Sequence, residues 1–241
     1  MVCHLVFVCA ISTQFLMMYG GMTQGQGTAT GSTRWFFNLA LVLQFPLVHS
    51  FLLTRPGQRV LARLAPPGLG KRLWSTTFVT IAAAQILLLF LMWSPSGTVL
   101  WSTTGGLRWC LSLFYVGSWL LLFKAMKDAG LAYHSGVIGW RAVYRNERPQ
   151  YPGMPTAGLF AYCRQPIYVA FALTTWTVPT WTTDQLAIAL ILTTYCVVAP
   201  LHKERRSRRL FGQAFEDYAQ RVPYWIPRRP KASQQRTPHG E

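Results

Sequence analysis

Acidic residues are nearly missing from this chain. Only 7 of its 241 residues are aspartate or glutamate, and the first of them is Asp128. Charged residues of either sign make up 12% of the sequence, against the roughly 25% that is typical of soluble domains. This scarcity argues against a soluble enzyme, and the 51% hydrophobic content indicates a membrane protein instead.

The surplus of basic residues gives a formal net charge of +16. Such basicity is typical of nucleic-acid-binding proteins when the lysines and arginines form one patch or stripe. Here they occur in short clusters between apolar runs, as in the cytoplasmic loops of membrane proteins. We therefore predict the lipid bilayer, and no nucleic acid, as a partner of the chain. The sequence leaves the oligomeric state open.

The sequence also lacks a Cys-x-x-Cys pair, and its five cysteines have no histidines at metal-ligand spacing. Four of the cysteines lie within apolar runs, where cysteine behaves as a small hydrophobic residue. Cys163 stands beside Arg164 in a polar motif, but a structural role is the simpler interpretation there too. No metal site is predicted.

Long apolar runs are abundant, and a transmembrane helix needs about 20 mostly apolar residues. The candidate runs are Val2–Tyr19, Trp35–Leu53, Trp74–Trp93, Leu107–Phe123 and Ile167–Leu201. The last is too long for one span and is broken at Pro179–Asp184, where proline and polar residues favour a turn. We expect two paired helices of about 14 to 17 residues there. The predicted fold class is all-α, a polytopic integral membrane helical bundle of about six membrane segments that includes a C-terminal helical hairpin.

Lysine and arginine are distributed unevenly among the connections between the apolar runs. The connections without them are Gly20–Thr33, Ser94–Gly106 and Thr180–Asp184, and the basic ones are Thr54–Arg72, Lys124–Arg164 and the tail from Lys203 onward. Because basic loops face the cytoplasm, both termini and the cofactor site are predicted on the cytoplasmic side. Val2–Tyr19 fits as an uncleaved helix, since it lacks the charged start and cleavage site of a signal peptide.

The chain divides into three regions. Residues 1–125 are predicted to be transmembrane scaffold, residues 126–228 a cofactor-binding loop, helical hairpin and amphipathic C-terminal helix, and residues 229–241 a disordered basic tail. The loop Asp128–Phe160 is rich in aromatic and apolar residues, which favours a structured lid or half-helix. The amphipathic helix is expected to start near Glu204, because apolar positions continue from there through Val222.

Two polar clusters flank the hairpin. Arg164-Gln165-Pro166 opens it, and the free N–H groups of a helix that starts at proline favour an anion. Glu204 follows the second apolar helix within a basic run. The hairpin returns the chain to the same membrane face, so Arg164 and Glu204 are expected to meet in a cofactor site. An interfacial arginine and a solvated charged face are the alternatives for the two clusters.

A spaced set of motif residues follows residue 160, and its members are Arg164, Pro166, Tyr168, Glu204, Gly212, Phe215, Tyr218, Arg221, Val222 and Pro223. This set resembles the pattern of the membrane methyltransferases related to isoprenylcysteine carboxyl methyltransferase. Within that superfamily it is similar to the methanethiol S-methyltransferase and NnrU-like branch. His49 upstream of Arg55, and His134 with Gly139, also look like the thiol-methylating branch.

The resemblance implies an integral membrane methyltransferase that uses S-adenosylmethionine and acts on a small thiol or another lipophilic acceptor. The residues it implies for cofactor binding are Tyr162, Arg164, Gln165, Pro166, Tyr168, Glu204 and Tyr218. The residues it implies for catalysis are His134, His49 and Arg221. An interfacial or capping role is the alternative for His49. Arg164 and the nearby amides would hold the methionyl carboxylate, Glu204 the amino group or the ribose, and the tyrosines the cationic sulfonium.

Two positions depart from the family pattern. Gln165 stands where the family has histidine, and Lys203 stands where it has the first of two glutamates. Glutamine keeps hydrogen bonding but does not titrate near neutral pH, so a changed substrate or reaction stays open. An NADPH-dependent reductase of the sterol or steroid type is one alternative, since its ending resembles His202, Tyr218 and Tyr224. A catalytically silent membrane protein with this fold is the other.

Overall fold

The structure is a computed structural model that describes residues 2–228. The tail predicted to be disordered, residues 229–241, lies outside the described residues. In chain order the helices of the described part are α1 (Val2–Tyr19), α2 (Gly31–Leu52), α3 (Arg55–Leu64), α4 (Gly70–Leu91), α5 (Gly105–Asp128), α6 (Leu131–His134), α7 (Val137–Tyr144), α8 (Pro166–Trp176), α9 (Thr183–Phe211) and α10 (Gln213–Arg221).

Five of these helices, α1, α2, α4, α5 and α9, are long and apolar enough to cross a membrane, and α8 is a shorter apolar helix. Large apolar side chains on them are widely exposed, among them Phe36 at 74%, Trp109 at 75% and Leu113 at 73%. Contact of such side chains with lipid tails costs no free energy, whereas their contact with water is unfavourable. The predicted polytopic helical membrane bundle is thereby confirmed.

Helix α4 packs against α1, α2, α3 and α7, while α8 packs between α5 and α9. A close crossing of α4 and α7 depends on Gly139. A Cβ atom there would lie 2.4 Å from Thr76 Oγ1 and 2.8 Å from the Arg72 carbonyl oxygen. This crossing anchors the segment after α5, and Arg72 Nη1 adds a hydrogen bond to Asn146 Oδ1 at 2.9 Å.

The three connections without lysine or arginine gather at one end of the bundle. Thr182 Oγ1 donates to the Gly21 carbonyl at 2.5 Å, and the Ser96 amide donates to Asp184 Oδ2 at 2.8 Å. A short antiparallel pair joins strands β1 (Val99–Ser102) and β2 (Thr180–Thr182). The sequence predicted only a turn at Pro179–Asp184, because β2 is too short to show an alternating pattern.

The hairpin differs in length from its prediction. Two helices of about 14 to 17 residues were expected, whereas α8 has 11 residues and α9 has 29. Helix α9 carries the basic run past the apolar stretch because lysine, arginine, glutamate and leucine are all good helix formers. It ends at Gly212, whose positive φ of 51° favours glycine. The amphipathic helix predicted from Glu204 is thus divided between the end of α9 and α10.

The loop between α5 and α8 contains two short helices, α6 and α7. A non-helical stretch follows, and a 3₁₀ turn at Gly158–Ala161 leads into the hairpin. Asp128 Oδ2 accepts a hydrogen bond from the Leu159 amide at 2.8 Å. The start of the loop is thereby tied to its end, which places Tyr162 and Arg164 at the opening of α8.

Candidate functional site

The hairpin brings Arg164 and Glu204 together at the end of the bundle opposite β1 and β2. Arg164 Nε donates to Glu204 Oε1 at 2.9 Å, and Gln165 Nε2 donates to the same oxygen at 2.8 Å. Glu204 is 4% exposed and Gln165 is 1% exposed. A buried carboxylate is tolerated only when it is paired and hydrogen-bonded, and these two donors meet that need.

Lys203 completes this buried cluster from the other side of Gln165. Its Nζ donates to Gln165 Oε1 at 3.0 Å and to the Arg164 carbonyl at 3.1 Å. Both ends of the Gln165 amide are therefore engaged by neighbouring residues of α9. The two positions that depart from the family pattern, 165 and 203, are direct hydrogen-bond partners.

Arg164 also fastens the C-terminal segment over the cluster. Its Nη1 donates to the carbonyls of Ala219 at 2.5 Å and Val222 at 3.3 Å, and its backbone amide donates to the Pro223 carbonyl at 3.0 Å. The guanidinium lies 5.2 Å from the centre of the Tyr224 ring. The Arg-Val-Pro stretch is thus held against the start of α8.

No side chain of the described residues caps the N-terminus of α8. Pro166 occupies the first turn, and Gln165 at the N-cap makes no capping bond with its side chain, which bonds to Glu204 and Lys203 instead. The first backbone bond of the helix runs from the Val169 amide to the Gln165 carbonyl at 3.1 Å. The amides of Ile167 and Tyr168 have no acceptor within the helix, so this end favours an anionic group.

Cys163 is buried beside this cluster and has a structural environment. Its Sγ lies 3.4 Å from the Tyr224 carbonyl and 3.2 Å from the Trp225 carbonyl. Burial raises the pKa of the Cys163 thiol above its ordinary value, against a smaller opposing effect of the Gln165 amide. A protonated, 2% exposed thiol is a poor nucleophile.

His49 of α2 lies in an aromatic environment. Its ring centre is 4.8 Å from that of Phe78, 5.1 Å from that of Phe45 and 6.5 Å from that of Tyr195. Its Nδ1 is buried and has no hydrogen-bond partner among the described residues. The imidazole is therefore packed by rings on three sides and retains one unused polar atom.

His134 is the last residue of α6. Its Nδ1 lies 3.1 Å from the Gly130 carbonyl, and a carbonyl can only accept, so Nδ1 carries the proton. Burial lowers the pKa of His134 below its ordinary value, the Gly130 bond opposes this, and the Lys203 charge adds to it. A neutral ring with a free Nε2 can accept a proton.

The remaining predicted site residues lie elsewhere. Arg221 is exposed and bonds through Nε to the Asp217 carbonyl at 3.1 Å, and it lines a surface cleft of about 530 Å³ together with Tyr218 and Met154. Tyr218 is 5% exposed and donates to the Phe160 carbonyl at 2.8 Å. Tyr162 is 47% exposed. Arg221 and Tyr162 are therefore separate from the buried Arg164–Glu204 cluster.

Sequence reasoning did not assign Tyr224 or Arg206 to the candidate site. The Tyr224 hydroxyl is buried without a partner among the described residues. Arg206 lies three residues after Lys203 and therefore on the same face of α9. That spacing was the available signal, but in a run of four arginines and a lysine it did not single out one residue.

Comparison with known proteins identifies relatives over most of the chain. The chain is 29% identical over 194 residues to methanethiol S-methyltransferase 2 of Bradyrhizobium diazoefficiens, covering 79% of this chain and 72% of that protein. It is 28% identical over 200 residues to methanethiol S-methyltransferase of Crocosphaera subtropica, with 81% and 75% covered. It is 30% identical over 177 residues to nurim of Bos taurus, with 68% and 64% covered. No protein-family model and no solved structure matches.

These relatives are similar to this chain over most of its length. The similarity extends over 79% of the chain for the first of them, well beyond the motifs themselves. The resemblance of this chain to the membrane methyltransferases of the isoprenylcysteine carboxyl methyltransferase superfamily, in the branch that includes the methanethiol S-methyltransferases, is thereby confirmed.

Proposed function

We propose that this protein is an integral membrane S-adenosylmethionine-dependent methyltransferase whose acceptor is a small thiol. The observation that carries the proposal is the buried Arg164–Glu204 pair beneath the uncapped start of α8. Two relatives of the chain carry the name methanethiol S-methyltransferase. An NADPH-dependent reductase and a silent membrane protein are not favoured by those names.

The residues at the cluster fit the polar groups of S-adenosylmethionine. The unbonded amides of Ile167 and Tyr168 suit its carboxylate. Glu204 Oε2, whose one partner among the described residues is Arg208 Nη2 at 3.6 Å, suits its ammonium group or ribose hydroxyls. The Tyr224 hydroxyl, which has no partner among the described residues, offers one more hydrogen bond, and the aromatic face of Tyr168 favours a cation.

The remaining site residues position the groups that bind the cofactor or lie at the entrance to the site. Gln165 is fixed between Lys203 and Glu204 and orients the Glu204 carboxylate. It does not transfer a proton. Pro166 presets the first turn of α8, which keeps the amides that follow it directed outward. Tyr218 fixes the 3₁₀ turn through Phe160, and Tyr162 and Arg221 border the entrance on the cytoplasmic surface.

S-Adenosylmethionine supplies a methyl group on a sulfonium, which a thiolate sulfur takes while the electron pair of the breaking bond stays on the departing sulfur. The protein aligns the reactants and excludes water, which favours a reaction in which opposite charges neutralise. His134, through its free Nε2, is the residue we assign to receiving the acceptor's proton. His49, packed against Phe45 and Phe78, contacts the acceptor from the membrane side.

The cofactor enters from the cytoplasm in this proposal, and an apolar acceptor enters sideways from the bilayer. The supporting observation is that the connections without lysine or arginine gather at the end opposite Arg164 and Glu204. The positive-inside rule assigns that opposite end to the exterior.

The proposed function is tested by methyl transfer in liposomes. The purified protein is supplied with methyl-labelled S-adenosylmethionine and ethanethiol, and ethyl methyl sulfide is measured by gas chromatography and mass spectrometry. We expect labelled product, a large loss of it in Glu204→Gln, and unchanged product in the exposed control Glu147→Gln. Absence of product with ethanethiol, methanethiol and propanethiol would contradict the proposal.

A further inference from the structure

Helix α3 connects two helices that are long and apolar enough to cross a membrane. It begins at Arg55, soon after α2 ends at Leu52, and α4 begins at Gly70. Helix α3 packs against both of these neighbours. Because α2 and α4 cross the bilayer, α3 lies at the level of the lipid headgroups, at the end of the bundle opposite β1 and β2.

One face of α3 is fixed against the bundle. Leu61 is fully buried, and Gly57 lies so close to α2 that a Cβ atom there would collide with the Phe51 carbonyl oxygen. Thr54 caps the helix, since its Oγ1 accepts a hydrogen bond from the Gly57 amide at 3.3 Å. Packing therefore determines which side of α3 points away from the protein.

The outward side of α3 carries three arginines, Arg55, Arg59 and Arg63, which we call the arginine stripe. Residues four apart lie on the same face of a helix, and all three side chains are exposed. Each arginine is two positions from Gly57 or Leu61 and so lies on the opposite side from the buried face. None of the three forms an ion pair within residues 2–228. The stripe thus presents three cations to the surroundings of the protein.

The stretch of chain that contains α3 has an excess of basic residues and no acidic residue. No aspartate or glutamate precedes Asp128. The basic residues between positions 54 and 72 are Arg55, Arg59, Arg63, Lys71 and Arg72. A cluster of four to eight lysines and arginines directly beside a membrane-spanning helix is typical of segments that bind anionic phospholipids.

Two exposed apolar side chains border the arginine stripe. Val60 is 38% exposed and Leu64 is 62% exposed, and each directly follows an arginine of the stripe. In an interfacial helix such apolar side chains enter the boundary of the acyl chains, while arginine side chains extend to the headgroups. A soluble polyanion would leave Val60 and Leu64 in water. The combination of charge and apolar surface therefore favours lipid as the partner.

We propose that the arginine stripe binds the headgroups of anionic phospholipids in the cytoplasmic leaflet, with Val60 and Leu64 in contact with the acyl chains. A guanidinium donates two parallel hydrogen bonds to phosphate oxygens. In a zwitterionic headgroup the amine offsets the phosphate charge, so the stripe selects anionic lipids. Basic loops in general determine only which side faces the cytoplasm. This lipid site lies apart from Arg164 and Glu204 and is independent of the proposed methyl transfer.

Lipid retention by the full-length protein tests this site. The purified protein is released from micelles that contain equal amounts of phosphatidylglycerol and phosphatidylcholine, and native mass spectrometry counts the lipids that stay bound. The wild type should retain phosphatidylglycerol in preference to phosphatidylcholine. Attraction to an anionic surface weakens about fivefold for each basic residue that is lost. The preference should therefore decrease about fivefold in Arg59→Gln and roughly a hundredfold when all three arginines are changed to glutamine.

A matched variant removes the same charge elsewhere. Arg141, Arg145 and Arg148 are exposed in another basic connection, and their joint change to glutamine should leave the preference intact. Lysine at the three positions of the stripe keeps the charge and should keep most of the preference. Melting temperatures in phosphatidylcholine micelles show whether each variant is folded. Arg59→Gln alone keeps the test decisive if the triple variant does not fold.

Four results would overturn the proposal. The first is a wild type without preference for phosphatidylglycerol, and the second is an undiminished preference in the stripe variants. The third is an equal loss in both triple glutamine variants, because the preference would then follow net charge alone. The fourth is binding of glycerol 3-phosphate as tight as that of phosphatidylglycerol, which would assign the stripe to a soluble anion.

Discussion

Lys203 Nζ donates a hydrogen bond to Gln165 Oε1 at 3.0 Å, which joins the two positions at which this chain departs from the pattern it resembles. The lysine replaces an expected carboxylate, and the glutamine replaces an expected histidine. Each new residue satisfies the other, because an ammonium group only donates and an amide oxygen only accepts. The two departures are therefore one coupled change in the structure, and Glu204 keeps its place beside them.

We expect Gln165 and Lys203 to be energetically coupled. Gln165→Met or Lys203→Met alone should destabilise the protein by about 1–3 kcal/mol, since each leaves a buried polar partner unsatisfied. The double variant should cost less than the sum of the two, by roughly 0.5–3 kcal/mol. Thermal unfolding in detergent measures the cycle, with the exposed His202→Met as control. Strictly additive effects would mean that the Gln165–Lys203 hydrogen bond contributes nothing to the stability of the protein.

Glu204→Gln should weaken cofactor binding in a folded protein. The amide can still accept a hydrogen bond from Arg164, but the charge that we assign to the cofactor's ammonium group is lost. A charge-assisted bond of about 1.5–3 kcal/mol predicts roughly ten- to a hundredfold weaker binding of S-adenosylhomocysteine by calorimetry. Glu147→Gln removes an exposed carboxylate and should leave affinity unchanged. Equal affinities in both variants would remove Glu204 from the site.

His134 should contribute to the pH dependence of stability. Its pKa is lowered in the folded state, with burial as the main cause, so the unfolded chain binds a proton more readily as the pH falls. Stability that His134 contributes is therefore present above its unfolded pKa of about 6.5 and is lost on acidification below that value. Melting temperatures at pH 7.5 and 5.5 should differ more for the wild type than for His134→Asn. An equal decrease of the melting temperature in both proteins would mean that another residue titrates.

Cysteine labelling in intact cells should establish the orientation. Thr28 is exposed at the end that contains β1 and β2, whereas Arg63 and Arg145 are exposed in basic connections. A membrane-impermeant maleimide should label Thr28→Cys from outside and leave Arg63→Cys and Arg145→Cys unlabelled until the membrane is opened. Gly25 is an unsuitable probe, because a Cβ there would lie 2.0 Å from the Trp93 carbonyl oxygen. External labelling at Arg145 would reverse the orientation.

Much of the fold could be read from the sequence because membrane helices impose long apolar runs, and a hairpin returns its ends to one face. That reasoning predicted the meeting of Arg164 and Glu204, which lie 40 residues apart. It misjudged the length of α9, since apolarity shows where a span ends and helix propensity decides where a helix ends. Gly212, with its positive φ, marks the true end.

The finer contacts could not be read from the sequence. The Gln165–Lys203 bond depends on how α8 and α9 face each other, which apolar periodicity does not specify. His49 and His134 were recognised by resemblance, but the free Nε2 of His134 follows only from its bond to Gly130.

Cofactor choice tests the central proposal most directly. The purified protein is titrated by calorimetry with S-adenosylhomocysteine and, separately, with NADPH. The first ligand represents methyl transfer and the second represents reduction. The account predicts saturable binding of S-adenosylhomocysteine at one site per chain and no binding of NADPH. Saturable binding of NADPH without binding of S-adenosylhomocysteine would contradict it.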